Sequence, residues 1–298
     1  NAATPEAGTS PKLGPQVNKG LQTYLAGSKA LDHLARFVQA TESFFHPSNW
    51  GPWQMQLSSF LQFLTWEFLR RVKEEEKPEC KIPQEKRIMP DMKRTFVKIL
   101  RNVCLMSMFG KDPVTVSHSQ LALKRMALIE PDLIIPEILT RAVPSLEALE
   151  TTHRTTAVIS ALGTMSFPLT SRELYPEGAK HLVPLMNLCL PGVDLNDPIK
   201  TVATSVFYLM AVLAIKIDDL NRPELLDGSS ESMAVDVDPE AKRTPGMTEK
   251  ETKEFDDAQN QLVRMSTGAF EEWAVVFFRR VLQLFEALPE EGKNGRIG

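Results

Sequence analysis

YPEGAKHLVPLMNLCLPGVDLNDPIKTVATSVFYLMAVLAIKI, residues Tyr175 to Ile217, reads as two apolar helices separated by one short, punctuated break. Pro176 suits the first helical position, where its missing N–H is no loss. Leu182, Val183, Leu185, Met186, Leu188, Cys189 and Leu190 then make a dense apolar helix, and Pro191-Gly192 stops it. Asp197-Pro198 starts the second helix, with Asp as cap and Pro at the first turn. That helix is apolar almost all round, which predicts burial on several sides. Such a pair cannot cover its own faces, and stacking on neighbours of the same kind is the logic of a helical repeat array.

The same grammar extends in both directions. Asn1 to about Pro15 is rich in Pro, Gly, Ser and Thr and reads as flexible linker. From Val17 to Phe45 apolar residues recur at spacings of three and four, through Leu21, Tyr24, Leu25, Leu31, Leu34 and Val38. After a turn at His46–Gly51, Pro52 to Arg71 is a strong helix, with Met55, Phe60, Phe63, Leu64, Phe68 and Leu69 as its expected core face. Lys73 to Met89 reads as a loop. Helices are expected over Asp91–Phe109, from Asp112-Pro113 to Ile129, from Pro131 to near Pro144, and over Thr151–Met165. Arg222 to Gly246 is acidic and holds Gly228-Ser229-Ser230, which reads as a disordered insertion. Thr248-Glu249-Lys250-Glu251 is a capping box opening a long final helix, with Phe270, Trp273, Phe277, Val281 and Phe285 on one face.

No useful strand alternation occurs, so the fold class is all-α, an α-solenoid of antiparallel helix pairs. Its expected divisions are a linker at 1–15, repeats over 16–221, an acidic insertion over 222–247, closing helix or helices over 248–289, and a frayed tail at 290–298. Pro136 and Pro184 occupy like places in the first helices of two units, and Arg154 and Lys200 open the second helices. This arrangement is similar to the HEAT pattern, whose unit is about 40–47 residues.

Composition narrows the function. Net charge is −4, with 43% hydrophobic and 24% charged residues, so nothing global points to nucleic acid or a membrane surface. The longest uncharged run, Thr201–Ile215, falls short of the ~20 residues that span a bilayer. The chain begins with Asn1 rather than Met, as expected of a piece of something longer. Cys80, Cys104 and Cys189 are far apart and read as structural thiols in a reducing compartment. His33, His46, His118, His153 and His181 form no H-E-x-x-H and no Cys/His metal spacing, and read as cap, turn and surface residues. No nucleophile elbow, phosphate loop or dinucleotide fingerprint is present, and the neighbours Asp218-Asp219 point apart on a helix. No catalytic, cofactor-binding or metal residue is therefore assigned, and no cofactor is expected. Arg94, Lys98 and Arg101 share a helix face, with Lys86, Arg87 and Lys93 just before; such a cluster suits a multivalent anion, although a solvated polar face is the plainer reading. The cluster Trp50, Trp53, Phe60, Phe63 and Trp66 would suit a modified-lysine pocket, but core packing is the plainer reading.

Several runs are more specific than helical periodicity. Phe44-Phe45-His46-Pro47-Ser48-Asn49-x-Gly51-x-Trp53 resembles the middle region of the large monomeric HEAT-repeat proteasome activators of the Blm type. So do Ile135-Pro136, Pro144-x-Leu146-Glu147-x-Leu149 to His153, Tyr175-Pro176-Glu177-Gly178-x-x-x-His181, Pro184-Leu185-Met186 and Leu190-Pro191-Gly192-Val193-Asp194-x-Asn196-Asp197. The resemblance runs from about Phe44 to Leu220 and plausibly into the final helix. It implies a dome-shaped solenoid that caps the α-ring of the proteasome core particle and loosens its gate without ATP or ubiquitin. Peptides and unfolded or acetylated proteins would be degraded, in nucleus and cytoplasm and in connection with DNA repair, and the parent would bind inositol polyphosphate. The family docks through a hydrophobic-tyrosine-x terminus, whereas this chain ends Arg296-Ile297-Gly298, and the acetyl-lysine-reading region lies elsewhere. No functional residue carries over, so the segment is expected to supply scaffold. The competing expectation is a HEAT-repeat nuclear transport receptor or chromatin-associated adaptor.

Overall fold

The computed structural model describes residues 29–49, 51–147, 152–221 and 248–287, and among these no strand occurs. The helices are α1 (Ala30–Thr41), α2 (Pro52–Glu75), α3 (Pro90–Ser107), α4 (Pro113–Ala127), α5 (Pro131–Glu147), α6 (Thr152–Thr170), α7 (Leu182–Cys189) and α8 (Pro198–Ala214), then α9 (Glu249–Thr267) and α10 (Phe270–Ala287).

Consecutive helices alternate between two layers. In the first, α1 packs on α3, α3 on α5 and α5 on α7; in the second, α2 packs on α4, α4 on α6 and α6 on α8. This is the all-α solenoid of helix pairs that the sequence implies. Its core runs without interruption from Leu31 through Phe96, Leu100, Leu123, Ile134 and Leu162 to Phe207. Burying each such side chain contributes on the order of 1.5–3 kcal/mol, so stability accumulates along the stack. The most extensive joint is α6 on α8. Gly163 makes it possible: a Cβ there would stand 3.3 Å from the Cα of Phe207.

The boundary chemistry is as read. Asp112 accepts from Thr115 N at 2.7 Å and Asp197 from Lys200 N at 3.0 Å, each just before a proline. Thr248 and Glu251 close a reciprocal capping box. Three expectations are revised. Pro176 lies in a turn, and α7 begins only at Leu182, after a 3₁₀ turn at Gly178–His181. Helix α5 does not end near Pro144 but runs on to Glu147, with Pro136 and Pro144 both on its exposed face. The long final helical stretch is two helices, divided at Gly268-Ala269. The segment Val17–Gly27, the insertion 222–247 and the tail from 290 lie outside the described residues.

The remaining revisions concern which faces are buried. On α2 the inward stripe is Gln54, Ser58, Leu61, Thr65, Phe68, Leu69, Val72 and Glu75, while Met55, Phe60 and Phe63 are exposed. Hydrogen bonding lets Ser58 and Thr65 occupy that stripe: Ser58 Oγ donates to Met55 O at 2.9 Å and Thr65 Oγ1 to Leu61 O at 2.9 Å. Helix α8 is buried along one side only, through Thr204, Phe207, Tyr208 and Ala211.

Candidate functional site

The nearest approach to catalytic geometry is at the α2–α4 joint. Ser58 Oγ lies 3.1 Å from His118 Nδ1, and Asp112 acts on the same imidazole. Burial lowers the basicity of His118, with Asp112 opposing. The arrangement does not work as a triad. Ser58 is 1% exposed and also bonds the Met55 carbonyl at 2.9 Å, so no carbonyl substrate reaches its oxygen. Asp112 is held below the usual carboxylate range by Thr115, which lies in the first turn of the helix that Asp112 caps. These residues lock α2 onto α4.

The other histidines are dispersed. His33 and His46 are exposed, with His46 Nδ1 accepting from Ser48 N at 3.2 Å. Burial, with Lys180 beside it, lowers the basicity of His181. The side chain of His153 lies outside those described. Among the described residues no three His, Cys, Asp or Glu side chains gather to hold a metal. Asp218-Asp219 falls in a short 3₁₀ turn rather than on a helix end.

On the basic face of α3, Arg94 is tied to the next helix pair. Arg94 Nη1 reaches Asp132 Oδ2 at 2.8 Å and Glu130 Oε2 at 3.2 Å, both at the start of α5. Asp132 holds the guanidinium more firmly charged, while burial and the neighbouring Asp132 push Glu130 upward despite Arg94. Lys93 pairs with Glu76 at 3.0 Å, and Arg87 donates to the carbonyls of Ile82 and Cys80. Arg87, Lys93 and Arg94 of that cluster thus serve as ties between α2, α3, α5 and the loop before α3.

The basic residues opening the second helices likewise serve the array. The Arg154 guanidinium stands 4.8 Å from the centre of the Phe109 ring. Lys200 Nζ lies 3.7 Å from Asp194 and 3.6 Å from Asp197, closing the turn between α7 and α8. The N–H of Asn196 and then Lys200 hold Asp194 below the usual carboxylate range.

What remains for function is outward apolar surface. Of the aromatic cluster on α2, Trp53 is 72% and Phe63 62% exposed, so core packing is not their role. Trp66 is half exposed and carries Arg125 at 5.0 Å from its ring centre. Trp50 lies outside the described residues. Phe60 meets Phe37 edge-on at 5.4 Å, and together they edge an open apolar groove of about 380 Å³ between α1 and α2, floored by Leu31, Phe68 and Phe96. The bare stripe of α8 is the second such surface. Periodicity alone misses both, because an apolar residue facing a neighbour and one facing solvent have the same spacing.

The comparisons agree with a stacked array of helix pairs. The family described as proteasome activator complex subunit 4, mid HEAT repeats region, matches residues 34–298. The chain is 37% identical over 182 residues to proteasome activator complex subunit 4B of Danio rerio, which is 59% of this chain and 10% of that protein. It is 35% identical over 180 residues to proteasome activator complex subunit 4 of Homo sapiens, with the same coverage. Proteasome activator subunit 4 of Arabidopsis thaliana is 26% identical over 214 residues, 65% of this chain and 12% of that protein. The chain thus spans about a tenth of the length of the curated relatives it matches. Given that match and the two-layer stack of helix pairs, the chain belongs to the mid HEAT-repeat region family of proteasome activator complex subunit 4.

Proposed function

We propose that this chain is a non-catalytic scaffold segment of a proteasome activator. Its helix pairs hold the curvature of a larger solenoid, so that docking elements elsewhere in that protein meet the α-ring of the core particle. The whole activator would open the gate without ATP or ubiquitin and promote degradation of peptides and of unfolded or acetylated proteins, in nucleus and cytoplasm. The observation that carries this reading is the family match over 34–298. A stack whose polar groups are spent on ties between helices supports it further. Because Arg94 is already paired to Asp132 and Glu130, inositol polyphosphate would bind the whole protein at a place other than this face.

The test is peptidase stimulation of purified core particle by the full-length protein and by a version lacking residues 30–287. Loss of stimulation together with retained folding of the remainder is expected. Full stimulation by a folded deletion protein would overturn the scaffold role.

A further inference from the structure

Helix α8 has two apolar sides, and among the described residues only one of them is covered. Its inner side, Thr204, Phe207, Tyr208 and Ala211, packs on α6. Diametrically opposite, Ile199, Val202, Val206, Leu209 and Leu213 are 76%, 62%, 46%, 54% and 72% exposed. Their spacing of three, four, three and four is that of a helix seam rather than of scattered surface residues.

The other helices of the same layer show what such a side is for. Helix α4 lies between α2 and α6, and α6 between α4 and α8, so each has a neighbour on both sides. Val158, Ile159, Ala161, Leu162 and Met165 accordingly bury α6 over a wide arc. The next described helices in chain order do not take the corresponding place beside α8. Helix α9 sits on α7 and on the turns at Gly178–His181 and Asp218–Asn221. Helix α10 leans on α7 and on the flank of α8, where Trp273 and Phe277 meet the Tyr208 ring edge-on at 4.8 and 5.2 Å. Arg280 Nε fixes that position by donating to the Val193 carbonyl at 2.8 Å.

We propose that the α8 stripe is the stacking face for a further second-layer helix, supplied by another helix pair of the longer protein in which this segment is built, and not by α9–α10. Two observations select that occupant. The stripe lies directly across α8 from the α6 joint and so continues an existing stack, and the relatives are about ten times as long as this chain. The occupant's chemistry follows from the stripe: an uncharged aliphatic helix face about 25 Å long, by the rise of a 17-residue helix. Between Lys200 and Lys216 there is no charge to recruit an ionic partner. The segment Pro198–Leu220 is also long and apolar enough to cross a bilayer, yet its inner side is held against protein by Phe207 and by the Tyr208 hydroxyl, which donates to the Met186 carbonyl at 3.0 Å. The proposal rests on family membership and not on the proteasome reading.

Cysteine labelling tests it without any proteasome. Val206→Cys in a Cys80→Ser background places one accessible thiol on the stripe, since Cys104 and Cys189 are buried. Maleimide labelling is compared between the 298-residue chain and the full-length protein carrying the same substitutions. Labelling slower by about tenfold or more in the full-length protein is expected, as for any side chain in a closed packing joint. Equal rates in the two would overturn the proposal. So would protection of the 298-residue chain that relaxes on dilution, which assigns the face to a second copy. Protection of the full-length protein only in the presence of phosphatidylcholine vesicles would assign it to a bilayer instead, and would equally overturn it.

Discussion

Gly178 lies against the carbonyl oxygen of Leu169 so closely that a Cβ at position 178 would overlap it and crowd the Tyr175 ring. Leu169 is buried at the end of α6, and Ala179 and Leu182 fix the turn from the other side, so neither partner can retreat. The turn also carries α9. Gly178→Ala is expected to lower stability by about 1–3 kcal/mol, the usual range for overpacking. Gly268→Ala is the control, because its Cβ would meet nothing nearer than the Arg264 carbonyl at 3.4 Å and its backbone is already helical. That substitution is expected to be neutral or stabilising by about 0.5 kcal/mol. Denaturant unfolding of the two variants beside the parent chain separates the effects.

Glu75 joins distant parts of the first half of the chain. It is 8% exposed; one oxygen accepts from Arg71 Nε and the other from Ile88 N at 2.6 Å, pinning the far end of the loop before α3 to the end of α2. Glu75→Ala leaves the Ile88 N–H without that acceptor, which costs about 1–3 kcal/mol. The loss should be local as well as global: limited proteolysis should cut the 76–89 loop sooner in Glu75→Ala than in the parent. Unchanged cleavage there would remove Glu75 from that role.

Helix positions and caps were legible because they are written locally. The Asp-Pro starts at 112–113 and 197–198 and the capping box at Thr248 need only neighbouring residues, and all three form. Which face a helix buries was less legible, because that depends on neighbours remote in sequence. On α2 the larger aromatics Phe60 and Phe63 outrank Ser58 and Thr65 by hydrophobicity. The structure nonetheless turns Ser58 inward, where His118, 60 residues away, completes its hydrogen bonding. The pairing of Arg94 was illegible for the same reason: its partners Glu130 and Asp132 belong to a different helix pair.

The buried thiols make alkaline stability a measurable property of the core. Burial pushes Cys104 up from its usual 9.0 to about 12. The folded state therefore keeps the proton where the unfolded chain releases it. The contribution is fully present below about pH 9 and is lost as pH rises from there toward 12. By linkage the loss is about 1.4 kcal/mol per pH unit within that window. Between pH 8 and 10 the parent chain should lose about 1.4 kcal/mol more than Cys104→Ala, whatever that variant's stability at pH 8. Equal pH slopes would show that this thiol does not hold its proton.

Arg94 offers a test of whether its pairing withholds this face from polyanions. Exposed or half-exposed ion pairs contribute less than about 1 kcal/mol, so Glu130→Gln with Asp132→Asn should leave the chain folded with little change in melting temperature. The same change removes the two carboxylates that neutralise Arg94, beside Lys98 and Arg101 on α3. Calorimetric titration with inositol hexakisphosphate should therefore give no heat of binding for the parent chain. The double variant should show weak, salt-sensitive binding, because the three cations then outnumber the one carboxylate, Glu137, that acts on Arg101. Binding of equal strength to both chains would place the anion on other residues, and saturable binding to the parent that Arg94→Gln abolishes would show that the carboxylates do not occupy the guanidinium in solution.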